Sequence, residues 1–461
     1  MSRCGLETLA ALADTLGAET CVKSDEASEQ RVGAIVTDTR KLASGDVLVA
    51  LVGERFDAHD FIAEARKAGA LAAVVSRRVE DPLPQLVVAD TRLALGLLAQ
   101  ARRRAWSGRV VAVTGNSGKT TVKEMLATLL NQRGDTLATH GNLNNDIGAP
   151  LTLLALEPRH CQAVIELGAN HLGEIAWTTA LAMPNVAVIT NVTGAHVGEF
   201  GGMGQIAQAK AEILAGLSSD GVAVLNRDDA FFPVWRRLAM AREVLDFSIG
   251  DPRARLSAQA LVCDGQGRYA FTLSLDGQEL GRVQLALLGR HNVANALAAA
   301  AAGIAMGLDG SLVMSGLEAV RPMPGRMAIV PGIRATRLID DTYNANPGAV
   351  KAAIDLLADL PAPRWCLLGA MAELGEATER LHADVGHYAR ERGIDFLGTT
   401  GSLAKAASHA FGEGGCHFDD WEALVRHAHN HLPSGASVLV KGSRSAGMER
   451  IIAALGADVS R

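Results

Sequence analysis

Residues 109–121 combine an apolar run, Arg-Val-Val-Ala-Val, with the glycine-containing segment Thr114-Gly-Asn-Ser-Gly-Lys-Thr-Thr121. From Val122 to Leu130 apolar residues recur at helical spacing, and Gly134 is a suitable helix stop. Continuous apolar strands are typical of sheets that helices cover on both faces. The order of strand, glycine loop and helix therefore predicts an α/β fold with a mostly parallel sheet.

The same segment has the residue types of a phosphate-binding loop. Gly115 and Gly118 would let the backbone approach phosphates closely, Lys119 would neutralise the β- and γ-phosphates, and the Thr120 hydroxyl would ligate magnesium. A turn with an ordinary exposed lysine is the alternative, and the order of strand, loop and helix argues against it. Val113 stands where the usual loop has its first glycine, so this is the shorter T-G-x-x-G-K-T-T form. The predicted ATP-binding residues here are Thr114, Gly115, Asn116, Ser117, Gly118, Lys119, Thr120 and Thr121.

Two further α/β blocks flank this one, because 461 residues are too many for a single hydrophobic core. In the first block we predict four strands and one helix, at Val32–Thr37, Asp46–Leu51, Leu71–Ser76, Leu86–Ala89 and Asp60–Ala68. Later strands are predicted at Ala163–Glu166, Val186–Thr190, Gly221–Leu225, Arg337–Asp341, Cys366–Gly369, Phe396–Thr400 and Ser437–Lys441. Asp-Gly turns predict antiparallel hairpins over Ala260–Leu288, and the alanine-rich run Val293–Leu308 predicts a buried helix.

Domain boundaries are placed at Trp106-Ser-Gly and in the proline-glycine stretch that ends at Arg326. The predicted domains are residues 1–107, 108–325 and 326–461. The third has the pattern of a small Rossmann-like fold. It lacks a G-x-G-x-x-G fingerprint, so binding of a nicotinamide cofactor is not indicated.

Composition excludes several classes of protein. A net charge of -6 argues against nonspecific nucleic-acid binding, which needs a basic surface. Six cysteines without a C-x-x-C pair suggest neither a zinc site nor a disulfide framework, which fits a cytoplasmic protein. We expect no membrane insertion, because no stretch reaches the ~20 apolar residues of a span. The basic run Arg102-Arg-Arg104 is interpreted as a solvated helix end.

Further motifs resemble those of the Mur ligase and folylpolyglutamate synthetase superfamily, and the resemblance extends through all three blocks. They are the shorter phosphate loop, His140-Gly-Asn-Leu-Asn-Asn-Asp-Ile-Gly-Ala-Pro150, Ile165-Glu-Leu-Gly-Ala-Asn-His171 and Asn191-Val-Thr-Gly-Ala-His-Val-Gly-Glu-Phe200. Their form, together with Leu368-Gly-Ala-Met-Ala-Glu-Leu-Gly375 and Val440-Lys-Gly-Ser-Arg444, resembles the D-alanyl-D-alanine-adding members. Ala370 replaces a commoner aspartate, and the D-N-P-R tetrapeptide of the diaminopimelate-adding relative does not occur.

The metal and catalytic residues come partly from chemistry and partly from this resemblance. Glu166 ends an apolar strand in the sheet region beside the phosphate loop, where a carboxylate can hold magnesium, although a solvated acid at a strand end is the alternative. The resemblance makes His196 a second magnesium ligand and Lys210 a carbamylated one, whereas a structural histidine and a solvated helix lysine are the ordinary interpretations. The predicted catalytic residues are Lys119, Glu166, His196, Lys210 and Arg326, and the metal ligands are Thr120, Glu166, His196 and Lys210.

The remaining nucleotide residues lie near the second boundary. Asn292 and Asn295 share a helix face and can pair with adenine, although Asn292 could instead be an N-cap. The resemblance adds His291 at the base, Arg326 at the γ-phosphate and Asp341 at the ribose or metal shell.

Substrate residues are expected in the first block, in the segment 142–146 and in the segment 343–346. The first block carries Thr37-Asp-Thr-Arg40 and Gly53–Phe61, which resemble the UDP-sugar-binding segment of the family, and a strand-end turn is the alternative. The predicted set is Thr37, Asp38, Thr39, Arg40, Phe56, Asp57, His59, Asn142, Asn144, Asn145, Asp146, Tyr343, Asn344 and Asn346.

The resemblance implies a three-domain ligase with a UDP-substrate-binding domain, a central ATP-binding domain and a Rossmann-like domain. It would use ATP and Mg²⁺ to add D-alanyl-D-alanine to a UDP-linked muramoyl tripeptide through an acyl phosphate, in peptidoglycan synthesis. We expect a monomer that works on small molecules in the cytoplasm. Another Mur ligase, a phosphate-loop kinase and a nonenzymatic ATP-binding scaffold stay open, as do the third residue of the tripeptide and the role of position 370.

Overall fold

The structure is a computed structural model that describes residues 6–20, 30–54, 56–193, 201–240 and 242–457. Its described residues form three sheets in chain order, each with helices on its faces. The sheets are mostly parallel, as alternating strands and helices predict, and the expected α/β class is confirmed.

The first sheet has five short strands in the order β1-β5-β4-β3-β2. Its strands are β1 (Glu19–Thr20), β2 (Ile35–Val36), β3 (Val47–Val49), β4 (Ala72–Val75) and β5 (Gln85–Val87), and its helices are α1 (Leu9–Leu16), α2 (Ile62–Lys67) and α3 (Thr91–Ala105). β2 is shorter than predicted because the Asp46 side chain takes the Ala34 N–H at 2.7 Å. The chain before α2 forms a 3₁₀ turn, Ala58–Phe61, rather than the start of the predicted helix.

The central sheet has nine strands in the order β14-β13-β12-β11-β10-β9-β6-β8-β7. Its strands are β6 (Arg109–Thr114), β7 (Thr136–Ala138), β8 (Gln162–Glu166), β9 (Val186–Ile189), β10 (Val222–Asn226), β11 (Glu243–Ser248), β12 (Leu256–Cys263), β13 (Arg268–Leu275) and β14 (Gln278–Leu288). Its helices are α4 (Lys119–Asn131), α5 (Gly148–Leu154), α6 (Glu174–Ala182), α7 (Met203–Ala211), α8 (Phe232–Leu238), α9 (His291–Ala305) and α10 (Gly310–Ala319). The last three strands form the predicted antiparallel hairpins, and α9 is the predicted buried helix.

The third sheet has the order β15-β16-β20-β17-β18-β19, and β15 is its antiparallel strand. Its strands are β15 (Ala328–Pro331), β16 (Arg337–Asp341), β17 (Arg364–Gly369), β18 (Phe396–Thr400), β19 (Gly415–Phe418) and β20 (Ser437–Lys441). Its helices are α11 (Pro347–Ala358), α12 (Thr378–Glu391), α13 (Lys405–Phe411), α14 (Trp421–His431) and α15 (Glu449–Leu455). All four strands predicted in this block are present.

Two expectations need correction. Helix α4 ends at Asn131, three residues before the predicted stop. The basic run at the end of α3 is not simply solvated, because Arg103 is buried and donates to the carbonyl oxygens of Ala182 (2.8 Å) and Met183 (3.2 Å). These hydrogen bonds of Arg103 therefore connect helix α3 of the first block to the end of helix α6 in the central block. None of the helices in the described ranges is both long and apolar enough for a transmembrane segment.

Candidate active site

The phosphate loop connects β6 to α4, and both of its glycines adopt conformations with positive φ, +146° at Gly115 and +82° at Gly118. A Cβ atom at Gly115 would lie 1.9 Å from Thr190 Oγ1, and one at Gly118 would lie 2.3 Å from Asn295 Oδ1. Glycine is therefore required at both positions by the surrounding protein as well as by the turn.

The end of the neighbouring strand β9 holds the loop in place. Asn191 Oδ1 accepts from the Ser117 N–H at 3.0 Å, and the Asn191 carbonyl accepts from the Asn116 N–H at 3.0 Å. Thr190 Oγ1 donates to the Ser117 carbonyl at 2.7 Å. Sequence reasoning assigned no role to Thr190 or Asn191, although Asn191 opens one of the family motifs and so carried a usable signal.

Lys119 lies at the centre of the loop and is partly buried, not exposed as the alternative interpretation would require. Its Nζ donates to the carbonyl oxygens of Gly115 (2.8 Å) and Asn116 (3.2 Å). Burial lowers its pKa, the nearby Glu166 carboxylate raises it, and Arg326 lowers it further. The lysine thus places a cation where backbone N–H groups at the start of a helix favour an anion.

Glu166 ends β8 beside the loop, and its side chain is buried. Oε1 accepts from Asn144 Nδ2 at 2.8 Å, whereas Oε2 has no hydrogen-bond partner among the described residues. Buried polar atoms are nearly always paired, so an unpaired carboxylate oxygen fits a hard cation such as magnesium.

Lys210 lies in α7 and is buried, contrary to the solvated face that its helical pattern would ordinarily predict. Burial, assisted by repulsion from Lys119, lowers the pKa of Lys210 to about 7, against the opposing charges of Glu212 and Glu174. A lysine that is neutral near pH 7 is nucleophilic toward carbon dioxide. The carbamate itself stays a prediction, and His196 lies outside the described residues.

The third block reaches the loop directly. Arg326 Nη2 donates to Thr120 Oγ1 at 2.9 Å, and its guanidinium lies 4.0 Å from the centre of the Tyr343 ring. Asn346 caps α11 through the Ala349 N–H (2.8 Å) and contacts Ser117 Oγ at 3.4 Å.

A buried ion pair organises the same side of the cavity. Asp341 pairs with Lys441, whose Nζ also donates to the Asn344 carbonyl at 2.9 Å. Sequence reasoning quoted Lys441 within a motif but gave it no role.

Asn292 and Asn295 connect α9 to the loop. Because α9 begins at His291, Asn292 lies inside the first turn and is not its N-cap. Asn292 Nδ2 donates to the Leu288 carbonyl at 2.7 Å, and Asn295 Nδ2 donates to Asn292 Oδ1 at 2.8 Å. Burial lowers the pKa of His291 and so favours the neutral form of this ring at the cavity wall.

These residues enclose a cavity of about 870 Å³ between the central and third blocks. Most of the predicted residues of both blocks line it, namely Gly115, Asn116, Ser117, Gly118, Lys119, Thr120, Thr121, Asn142, Asn144, Asn145, Glu166, Lys210, His291, Asn292, Asn295, Arg326, Asp341, Tyr343, Asn344 and Asn346. Residues that sequence reasoning left without a role also line it, among them Glu124, Asn191, Glu373, Lys441 and Arg444. Thr114 lies beneath the loop, where its hydroxyl donates to the Leu167 carbonyl at 2.7 Å, and Asp146 pairs with Arg92 at 3.1 Å.

The predicted residues of the first block do not line this cavity in the described part of the chain. Thr37, Asp38, Thr39 and Arg40 form a turn in which Asp38 accepts from the Arg40 guanidinium at 2.7 Å. Phe56 is 74% exposed, which leaves its ring available to a ligand.

His59 is not placed as a ligand-binding side chain. Its ring is buried, Nδ1 lies 2.6 Å from Asp57 Oδ1, and Nε2 accepts from the Ser76 N–H at 2.9 Å. Both ring nitrogens are therefore engaged by protein, so the geometry favours a structural role for His59.

The fold and the site define a three-sheet α/β protein whose phosphate loop opens into a cavity between the central and third blocks, and comparison with known proteins agrees. Residues 113–303 match the Mur ligase middle domain, and residues 325–444 match the glutamate ligase domain of Mur ligases. The chain belongs to the Mur ligase family and is an ATP-dependent amide-bond-forming ligase.

Within the family, its relatives point to one branch. It is 44% identical to the UDP-N-acetylmuramoyl-tripeptide–D-alanyl-D-alanine ligase of Escherichia coli over 97% of this chain and 98% of that protein. The Bacillus subtilis enzyme of the same name is 33% identical, with 91% and 92% covered. A crystal structure of MurF from Acinetobacter baumannii superposes with a TM-score of 0.91 at 36% identity, covering 98% of each chain.

Proposed function

We propose that this chain joins D-alanyl-D-alanine to a UDP-N-acetylmuramoyl-tripeptide with consumption of ATP, and so makes the pentapeptide precursor of peptidoglycan. The observation that carries the proposal is the cavity in which the phosphate loop, Glu166, Lys210 and the third block meet. Full-length similarity to ligases of that name supports the choice of substrates.

In this proposal the phosphate loop and Arg326 bind the triphosphate from opposite sides. Backbone N–H groups of the loop and Lys119 would hold the β- and γ-phosphates, and Arg326 would reach the γ-phosphate from the third block. Asn292, Asn295 and His291 would border the base, and Asp341 the ribose.

The residues that would hold magnesium are Thr120, Glu166, Lys210 as its carbamate, and His196. The unpaired oxygen of Glu166 supports this assignment. Magnesium, when bound, supplies positive charge that stabilises the transferring phosphoryl oxygens.

The reaction follows from the need to activate a carboxylate. The terminal carboxylate of the tripeptide attacks the γ-phosphorus and releases ADP, the dipeptide amine attacks the acyl phosphate, and the tetrahedral intermediate loses phosphate as the amide forms. Lys119 and Arg326 would neutralise charge throughout. Tyr343, Asn344, Asn346 and the asparagines of the 142–145 loop would orient the reacting groups, and the exposed first-block residues would bind the UDP-sugar.

Trapping the intermediate tests the proposal. With ATP and UDP-tripeptide but no dipeptide, hydroxylamine should yield a hydroxamate, and added dipeptide should divert this species to amide with equal amounts of ADP and phosphate. A phosphate-loop kinase would release a stable phosphorylated product instead. The acyl-phosphate route fails if no adduct forms and label from the carboxylate oxygen never enters the released phosphate.

We further propose that the enzyme acts as a monomer in the cytoplasm, where its UDP-linked substrate and ATP would both be available. Light scattering at micromolar protein concentration would test the monomer, and a stable dimer mass would contradict it.

A further inference from the structure

Lys123 is a buried lysine that the proposed mechanism does not use. It lies on α4, four residues after Lys119, and its side chain is 1% exposed. Lysine is almost never fully buried unless its ammonium is paired. Its Nζ lies 2.6 Å from Glu124 Oε1 on the cavity wall and donates to the Thr139 carbonyl at 2.7 Å.

The bond to Thr139 occurs where strand β7 leaves the sheet. β7 and β8 pair in parallel through Ala138 and Val164, and the Thr139 N–H donates to the Val164 carbonyl at 3.0 Å. In a continued parallel ladder the Glu166 N–H would donate to the Thr139 carbonyl. That carbonyl is instead turned to Lys123, and the Thr139 hydroxyl takes its place, accepting from the Glu166 N–H at 3.0 Å.

This exchange sets the course of the chain after β7. Once the ladder ends, the following loop folds back across the end of β8, where the Asn144 carbonyl accepts from the Gly168 N–H at 2.8 Å. From that position Asn144 Nδ2 donates to Glu166 Oε1, which leaves Oε2 as the unpaired buried oxygen.

We propose that Lys123 is a positioning residue for the metal-binding carboxylate Glu166, acting through Thr139 and the Asn144 loop. The ammonium holds the Thr139 carbonyl out of the ladder, and this fixes both the backbone and the side chain of Glu166. The proposal rests on the metal role given to Glu166 in the proposed function.

The test separates metal affinity from stability and from ligation. Calorimetry would give the affinity of the full-length protein for ADP with and without Mg²⁺, for the wild type and for Lys123→Met, which keeps the shape of the side chain but removes its charge. We expect the ADP affinity without metal to change less than about 2-fold. The increase in ADP affinity that Mg²⁺ causes, called here the gain from Mg²⁺, should fall about 10-fold, as for other residues that orient metal ligands.

Thr139→Val and Thr139→Ser form a matched pair that also serves if Lys123→Met does not fold. Valine removes the hydroxyl that accepts from Glu166 and should reduce the gain from Mg²⁺, whereas serine should retain it. Thr399→Val is the control, because it removes a buried hydroxyl from β18, in the third sheet.

The inference is overturned if Lys123→Met and Thr139→Val lower the melting temperature as Thr399→Val does while the gain from Mg²⁺ is unchanged. Because ADP binding is measured without turnover, this result is distinct from failure of the proposed function, which the hydroxamate trap reports.

Discussion

Lys210 gives the prediction with the clearest magnitude. Burial and the nearby Lys119 lower its pKa from 10.5 to about 7. At pH 7 about half of the Lys210 side chains would then be neutral, compared with roughly one in three thousand for a lysine with the ordinary value. Only the neutral amine attacks carbon dioxide, so the reactive fraction of Lys210 at pH 7 is about a thousandfold larger than that of a surface lysine.

Nuclear magnetic resonance of the protein in ¹³C-bicarbonate would detect the labelled carbamate directly. We expect one labelled lysine at pH 8, with the signal falling as the pH drops below about 7 and the amine becomes protonated. Lys210→Ala should abolish the signal and lower kcat by at least about 100-fold, as loss of a charge-stabilising group at a reacting centre does.

Two further measurements complete this test. Small carboxylic acids should partly restore Lys210→Ala, because they supply the missing oxygen ligand, and Lys67→Ala, which removes an exposed lysine, should behave as wild type. An unlabelled wild-type protein together with a fully active Lys210→Ala variant would refute the reasoning.

Three other outcomes are expected. Lys119→Ala should abolish ligation with little change in melting temperature, and normal turnover would remove Lys119 from the site. Gly118→Ala should cost about 1–2 kcal/mol of backbone strain and also weaken ATP binding, because the new Cβ would clash with Asn295. Gly265→Ala is the control, since Gly265 also has a positive φ but has open space around it and should show the strain alone. Equal ATP affinities of the two variants in calorimetry would contradict this. Burial lowers the pKa of His382 below 6.5, so its contribution to stability is complete above pH 6.5 and is lost as the pH falls through the lowered pKa. In urea titrations, the free energy of unfolding of His382→Gln should therefore fall less steeply with decreasing pH than that of the wild type. Identical pH profiles would argue against this.

The local parts of the site were predictable from sequence. The phosphate loop follows from strand, glycines and helix within about a dozen residues, and Glu166 follows from a carboxylate at the end of a buried strand. In both cases the chemistry and the geometry depend on residues that are close in sequence, and hydrophobic periodicity describes such local structure well.

The burial of polar side chains was not predictable in the same way. His59, Arg103 and Lys123 are buried where backbone groups from elsewhere in the sequence pair with them, namely the Ser76 N–H, the Ala182 carbonyl and the Thr139 carbonyl. The helical pattern that places Val122 and Met125 in the core gives no sign of these partners, since hydrophobic periodicity treats every charged residue as solvated.

Contacts between blocks were also out of reach of local patterns. Arg326 meets Thr120 across 206 residues of sequence. The resemblance supplied Arg326 as a nucleotide residue, but only the packed domains reveal that its present partner is a predicted metal ligand.

That partnership constrains how the site fills. The Thr120 oxygen accepts from a guanidinium at 2.9 Å, and a divalent cation bound to the same oxygen would repel that charge strongly in a partly buried site. If Thr120 binds the metal as proposed, Arg326 would therefore have to leave Thr120 when the metal–nucleotide complex binds. Its stacking on Tyr343 at 4.0 Å keeps the guanidinium over the cavity, which Lys119 also lines. Its Nε has no hydrogen-bond partner among the described residues, so this N–H is available to an anion. Under the proposed function, the arginine that touches the loop in this structure would turn toward the γ-phosphate, and this movement would link nucleotide binding to the position of the third block.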